Sequence, residues 1–353
     1  VRFRAKYIAF VGQFRASHLL VGCGILIGLI LAVGTFLLSM ELRNQDLRNA
    51  EQQLRKLSLV LSEETDRGLQ ATELIQLGLI DHLREIGIDS AEKLRQQAGS
   101  LEVHQDLIRR IAGLSHVGSL ALVDDHGMRL NISRVWPPPV VDDSDRDFIR
   151  TQLESATPGV FISEPSQSKS SGEWTIYFSR RFVASNGDLI GIVVATIQAK
   201  YFEGFFSRIG LEGDGSFALY RHDGMLLARY PHLDPKIGTS FAGTVNFDRV
   251  LANLDHGAFT QQSLLDGKAR LIAAHSLTHY PLIFAVTSGM DAILADWRTQ
   301  VVSVSGISAS LELAIGCIVL FGFRSLRNAE RSDAARIHAE SALRSSRERE
   351  IGE

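Results

Sequence analysis

The stretch Gly172 to Phe182, GEWTIYFSRRF, reads as a β-strand that ends in two adjacent arginines, Arg180 and Arg181. Neighbouring side chains on a strand point to opposite faces, so one arginine should turn into its domain and the other away from it. An arginine facing a partly dry interior suits one chemistry above others, because its planar guanidinium offers forked donors that match a carboxylate. Trp174 and Tyr177 on the same strand would supply apolar area that keeps water from such a pair. Signatures of catalysis were sought without success: there is no H-E-x-x-H, no G-x-S-x-G and no Walker-type phosphate loop. Gly213-x-Gly215-x-x-Ala218 imitates a dinucleotide fingerprint but leads into a strand, where that chemistry needs it to open a helix. His275 and His279 are four apart, but on a strand and a loop, so they share no helix face. The residues point to recognition, with no cofactor or metal expected and any enzymatic activity left to a further domain.

The chain has 353 residues and a formal net charge of −3, so no global basic character points to nucleic acid. Its apolar residues are concentrated in two blocks. Leu19 to Leu38 carries no charge, and Val301 to Phe323 carries one acid, Glu312. Each is about the length that crosses a bilayer core as a helix. Arg2, Arg4, Lys6 and Arg15 precede the first block, and Arg324, Arg327 and Arg331 follow the second. By the positive-inside rule both termini are expected in the cytoplasm, with the region between outside, in the periplasm of a Gram-negative inner membrane. Trp297 stands where an interfacial anchor belongs. Cys23 and Cys317 both lie within the blocks, so the outer region has no disulfide. The apolar core follows Cys23 instead of preceding it, which argues against a lipoprotein signal. An acid in mid-span is costly; Glu312 is either a signalling or dimer contact, or a neutral acid bonded to a serine such as Ser308.

The outer region contains one unit twice. SLALVDDHGMRL, from Ser119, aligns without a gap on SFALYRHDGMLL, from Ser216, with six of twelve positions identical. Further on, GVFIS at 159–163 matches GAFTQ at 257–261, Gly172 matches Gly267, and LIGIVVAT at 189–196 matches LIFAVTSG at 282–289. Helix candidates fall at Asp145 to Ser155, with Ser144 and Asp147 placed like a capping box, and near Val245 to Leu254. Each copy therefore runs strand, strand, helix, strand, strand, strand: an α+β, PAS-like unit with five antiparallel strands. Ahead of the copies, Leu54, Leu57, Leu61, Ile75, Leu79, Leu83 and Ile86 recur at helical spacing from Glu41 onward. A second helix is expected near Ala91 to Leu114. The expected organisation is a cytoplasmic N-terminus (1–18), a membrane helix (19–40), long helices (41–116), two PAS-like units (117–210 and 211–298), a second membrane helix (299–323) and a charged helix (324–353).

This region, about 41–300, resembles the double-Cache (PDC-type, tandem PAS-like) sensor domains of bacterial transmembrane receptors of the histidine-kinase and diguanylate-cyclase kind. DSDRDF at 143–148, FISEP at 161–165, GEWTIYFSRRF at 172–182, GDLIGIVVATIQAKYF at 187–202 and DGMLLARYP at 223–231 carry the resemblance. It implies two membrane helices, a homodimer, a small-molecule ligand held by the membrane-distal copy and a relay to a cytoplasmic output module. Arg146 and Phe148 resemble the arginine-x-aromatic part of the family's amino-acid-binding motif, in which both hold the ligand carboxylate. Two departures, Ile149 for the motif's next aromatic and Gln198 where the amine-binding aspartate falls, favour a carboxylate without an amine. The expected contacts are Arg146, Phe148, Trp174, Tyr177 and one of Arg180 or Arg181, near Gln198. The competing readings are structural: Arg146 paired with Asp143 or Asp147, Trp174 in the core, one strand arginine solvated and the other paired with Glu164 or Glu173. The second copy, with Arg270 and His275 on the equivalent strand and no aromatic pair, looks structural, and Arg221, His222 and Asp223 look solvated. The helix from Arg324 resembles a signalling helix leading to an output domain. The chain is expected to be either the sensory part of a kinase or cyclase, or an adaptor that works through a partner's coiled coil.

Overall fold

The computed structural model describes residues 16–155, 159–168, 172–209, 214–263 and 266–350. The cations Arg2, Arg4, Lys6 and Arg15, and Gly213 of the glycine pattern, lie outside them. The chain divides into a smaller unit, Val1–Leu47 with Leu294–Glu353, and a larger one, Arg48–Ile293.

Two helices dominate the smaller unit: the first part of α1 (Ala16–Glu85) and the whole of α8 (Ala295–Glu350). Both contain stretches long and apolar enough to cross a membrane. Their large apolar side chains, among them Ile25, Phe36, Ile307 and Phe321, are exposed, as lipid-facing residues would be. Thr35 donates to Ser308 Oγ at 2.9 Å and Trp297 Nε1 to the Ser39 carbonyl at 2.8 Å. Ser308 is thus bonded to Thr35. Glu312, half-buried, makes no hydrogen bond or ion pair among the described residues.

In the larger unit α1 buries a stripe of Leu54, Leu61, Leu69, Leu79, Ile80 and Leu83, the spacing of one helical face. The helix stops at Gly87, whose φ of +89° only glycine adopts freely. Ile88 N bonds to Leu83 O and Gly87 N to Arg84 O, both at 2.9 Å, which closes a Schellman motif. Ile86 falls past the helix end and is exposed. The helix expected over Ala91 to Leu114 is two, α2 (Ala91–Gln97) and α3 (Leu101–Ile111), because Ser100 accepts from Val103 N and starts a new helix after Gly99.

The first repeat is one antiparallel sheet of β1 (Val117–Asp124), β2 (Arg129–Ile132), β3 (Val160–Ile162), β4 (Ser166–Gln167), β5 (Trp174–Val183) and β6 (Leu189–Gln198), ordered β2-β1-β6-β5-β3 with β4 also on β5. That is six strands where the pattern predicted five, since a two-residue strand carries no periodicity. Helix α4 (Asp147–Glu154) lies between β2 and β3 in sequence. Its N-cap is Arg146 with no side-chain cap, so the expected capping box does not form. Asp147 instead accepts from Phe148 N and from Glu164 N, pinning the FISEP loop to the helix start.

Helix α5 (Ala199–Ile209) leads to the second repeat: β7 (Ser216–Arg221), β8 (Leu226–Tyr230), α6 (Val245–Ala252), β9 (Ala258–Gln262), β10 (Ala269–Ser276) and β11 (Leu282–Gly289), ordered β8-β7-β11-β10-β9. Short α7 (Met290–Ile293) follows. The repeats superpose in register, with one correction. Leu122 pairs with Val193 and Leu219 with Phe284, so Gly191 corresponds to Leu282, two residues from the sequence alignment. A slip of two keeps every side chain on its face, so the apolar pattern could not reveal it.

Both sheets are covered on both faces. One face packs on α1 and α5: Leu120, Phe178, Phe182, Leu219 and Phe284 share one buried cluster with the α1 leucines, and Phe206 of α5 meets Phe217 and Phe284. On the other, α4 covers Val123, Tyr177, Ile192 and Val194, and α6 covers Ala218, Tyr220, Ala274 and Ile283.

Candidate functional site

Because both sheet faces are covered, neither strand arginine is solvated. Thr175, Tyr177, Ser179 and Arg181 form one row of β5, toward α4. Ser179 Oγ donates to the Phe148 carbonyl at 2.8 Å, and Tyr177 stacks on Phe148 with centroids 4.1 Å apart and rings 6° from parallel. Arg181 donates to the carbonyls of Gln152 and Ser155 at the C-terminal end of α4, where a cation offsets the helix dipole. The other row, Ile176, Phe178, Arg180 and Phe182, faces α1. Arg180 pairs there with Glu73, neither with Glu164 nor with Glu173. Glu73 also accepts from the Tyr280 hydroxyl of the second repeat at 2.6 Å. Burial first, and the Glu73 bond second, push that hydroxyl far above the ordinary tyrosine range.

Arg146 stands at the start of α4. Among the described residues its guanidinium makes one hydrogen bond, at 3.5 Å to Ser166 Oγ, and no ion pair. Asp143, which the sequence offered as its partner, is taken by Arg129: Nε and Nη2 reach Oδ2 at 3.0 and 2.5 Å, with Asp143 buried. Tyr177 lies close to Arg146. Burial raises the Tyr177 hydroxyl above its ordinary pKa, and the Arg146 cation and a bond with Ser168 act against that rise. Gln198 is directly opposite Thr175, hence on the α4 face, and its Nε2 donates to Glu173 Oε2 at 2.5 Å.

The structure therefore brings together Arg146, Phe148, Tyr177 and, at the two ends of the same face, Gln198 and Arg181. It does not bring in Arg180 or Trp174. Trp174 turns to the second repeat, where its Nε1 donates to Asp234 at 2.9 Å. His232 bonds Asp234 at 2.8 Å with its other nitrogen on Glu203. Arg221 is only 16% exposed and bonds both Asp223 and the Ile162 carbonyl, joining the repeats instead of facing water. Arg129 and Glu173 were missed. Arg129 was signalled weakly, as a charge where the second repeat has Leu226. A cavity of about 240 Å³ lies between α1 and α5 beside His116, Tyr201 and Phe205, residues outside this cluster. The α4 face sets a cation that pairs with no carboxylate among the described residues beside a helix start and a buried aromatic pair.

A family model described as a dCache_1-like histidine kinase sensor domain matches residues 199–289, that is α5 and the second repeat. The extracellular domain of rpHK1S-Z16, a protein assigned as a histidine kinase, is 28% identical with a TM-score of 0.58, covering 71% of this chain and 99% of that one. The larger unit has the fold of a double-Cache sensor domain. The ligand-binding domain of the Pseudomonas aeruginosa PAO1 amino acid chemoreceptor PctB, solved with L-Arg, shares this fold at 16% identity and a TM-score of 0.51, over 69% of this chain and 97% of that one. The sensory domain of the Campylobacter jejuni chemoreceptor Tlp3, solved with isoleucine, is 15% identical with a TM-score of 0.49, over 71% and 97%. No curated protein matches the chain. With an apolar helix on each side in sequence, the double-Cache domain belongs to a membrane-bound sensor of the signal-transduction class.

Proposed function

We propose that this protein is a two-pass inner-membrane receptor that binds a small carboxylate-bearing metabolite in the periplasm, on the α4 face of its first repeat. The observation that carries this reading is Arg146: a cation at a helix start, beside the Phe148–Tyr177 stack, with no carboxylate paired to it among the described residues. Arg146 forks the ligand carboxylate, the stacked rings cover its apolar part, and Gln198 contacts its far end. Arg181 holds α4 in place through the carbonyls of Gln152 and Ser155, so it positions the site without touching ligand. The signal passes from β5 through Arg180 and Glu73 to α1, and a homodimer carries it through the second membrane helix to a cytoplasmic output module. The match to a histidine kinase sensor domain supports a kinase-type output. Both termini are cytoplasmic in this reading.

One observation favours a second ligand class. Glu173 beside Gln198 sets a carboxylate near the place where an amine would sit, so an α-amino acid is the rival to a simple acid. A thermal-shift screen of the full chain in detergent, against organic acids and amino acids of four or more carbons and their amides, tests both. A ligand at a hundred times its dissociation constant adds about 2.7 kcal/mol. The shift should appear with carboxylates, disappear with the amides and disappear in Arg146→Ala. A shift that survives Arg146→Ala, or none with any acid, would end this reading. Loss in Glu173→Gln of binding to amines alone would select the amino acid.

A further inference from the structure

The second repeat holds a buried cation that its own fold leaves unpaired. Arg229, on β8, is 8% exposed. Nη1 donates to the Pro231 carbonyl, Nε has no hydrogen-bond partner, and no carboxylate pairs with it among the described residues. Burial pulls its guanidinium below the ordinary arginine value. Gln261, on β9 and 7% exposed, has the complementary defect: its nitrogen reaches the Asn246 carbonyl at 3.4 Å while Oε1 has no donor. Orphaned groups of this kind cost free energy, most of all when charged. A third buried side chain, Arg270, lies directly opposite Gln261 on β10 but is fully engaged: Nη2 meets Asp266 at 2.6 Å and Nη1 meets the Asp214 carbonyl at 2.7 Å.

All three line one cavity under α6, with Tyr220, Phe247 and Val250 as its other wall. Its volume is about 40 Å³ for the centres of water-sized groups. A single water needs roughly 10–15 Å³ on that measure, so about three waters fit, which is room for an acid of one or two carbons, whose bonded atoms overlap. The fold itself does not demand these residues. By strand register Arg229 corresponds to Ile132 and Arg270 to Thr175 in the first repeat, which builds the same sheet without them.

We propose that this cavity is a second ligand site, an anion site within the second repeat that takes a monocarboxylate of one or two carbons. Arg229 Nε donates to the carboxylate, whose charge offsets the cation as water cannot. Phe247 and Val250 meet the apolar end. Gln261 Oε1 accepts from a hydroxyl where the ligand has one, so glycolate should bind better than acetate. The site is independent of Arg146 and of the first repeat's ligand.

The test uses the full chain in lipid nanodiscs, titrated calorimetrically with formate, acetate, glycolate and, as an oversized probe, benzoate. Wild type should bind the small acids and not benzoate. Binding of acetate should persist in Arg146→Ala and weaken tenfold or more in Arg229→Met, the scale of a lost charge-assisted hydrogen bond. Ligand-free Arg229→Met should melt no lower than wild type, because an apolar residue of similar length replaces an unpaired buried charge. Acetate affinity unchanged in Arg229→Met, loss of it in Arg146→Ala, or no binding of any small acid to wild type would each overturn the proposal. If Arg229→Met does not fold, Gln261→Leu decides: the preference for glycolate over acetate should vanish, and its retention would overturn the site.

Discussion

Glu73 is the sharpest place to perturb the larger unit, because one carboxylate serves two repeats. It pairs with Arg180 of the first and accepts from Tyr280 of the second. In Glu73→Ala both partners are stranded. Their side chains leave Arg180 only 15% exposed, with Nε already unpartnered, and Glu73 29% exposed. Breaking a fully buried pair costs about 3–5 kcal/mol and a surface pair about 0–1 kcal/mol; this exposure argues for about 2 kcal/mol. The buried Tyr280 hydroxyl, without its acceptor, adds about 1–2 kcal/mol. A total of about 3–4 kcal/mol in a domain of this size lowers Tm by roughly 10 °C. The assay is thermal unfolding of the full chain, with Arg180→Met, Tyr280→Phe and their doubles with Glu73→Ala. Tyr280→Phe alone should cost about 1 kcal/mol, and the Glu73–Arg180 cycle should be non-additive by at least about 1 kcal/mol. A fall of less than about 2 °C in Glu73→Ala, or an additive cycle, would refute the idea that this carboxylate ties β5 to α1.

His232 makes stability depend on pH. Its pKa is raised, by the bond to Asp234 first and to Glu203 next, above the usual 6.5. Its contribution is therefore complete below that value and is lost as pH rises through the folded-state pKa, and Tm measured against pH should lose this descent in His232→Gln. Trp174→Phe removes the bond to Asp234 and should cost about 1 kcal/mol while first-repeat ligand affinity, read by titration, stays at the wild-type value. Gly224 has φ of +86°, and a Cβ there would lie 2.5 Å from the Ala242 nitrogen, so Gly224→Ala should lower stability by at least about 2 kcal/mol in thermal unfolding.

Much of this architecture was legible because it rests on periodicity. The repeat announced itself through Gly127 and Gly224, each in a hairpin that needs positive φ, and the long helix through its leucine stripe. The site was legible only in part. Strand alternation puts Tyr177 and Arg181 on one face and Arg180 on the other, but it could not say which face holds ligand when both are buried. Trp174 could not be assigned because its partner, Asp234, is 60 residues away. Arg229 sits in DGMLLARYP and Gln261 in GAFTQ, stretches that carry the resemblance and the repeat but mark neither residue as a ligand contact. They stand out only once the sheet is folded and their hydrogen bonds are counted.

Strand β5 is, in effect, two sequences interleaved. Thr175, Tyr177, Ser179 and Arg181 belong to the α4 side, and Ile176, Phe178, Arg180 and Phe182 to the long helix. Selection can act on the two sets separately. Under the proposed function, a lineage can exchange one ligand for another by rewriting the first set and leave the second, with its grip on Glu73, untouched. Such a strand lets the question a cell asks of its surroundings drift while the wording of the answer is conserved.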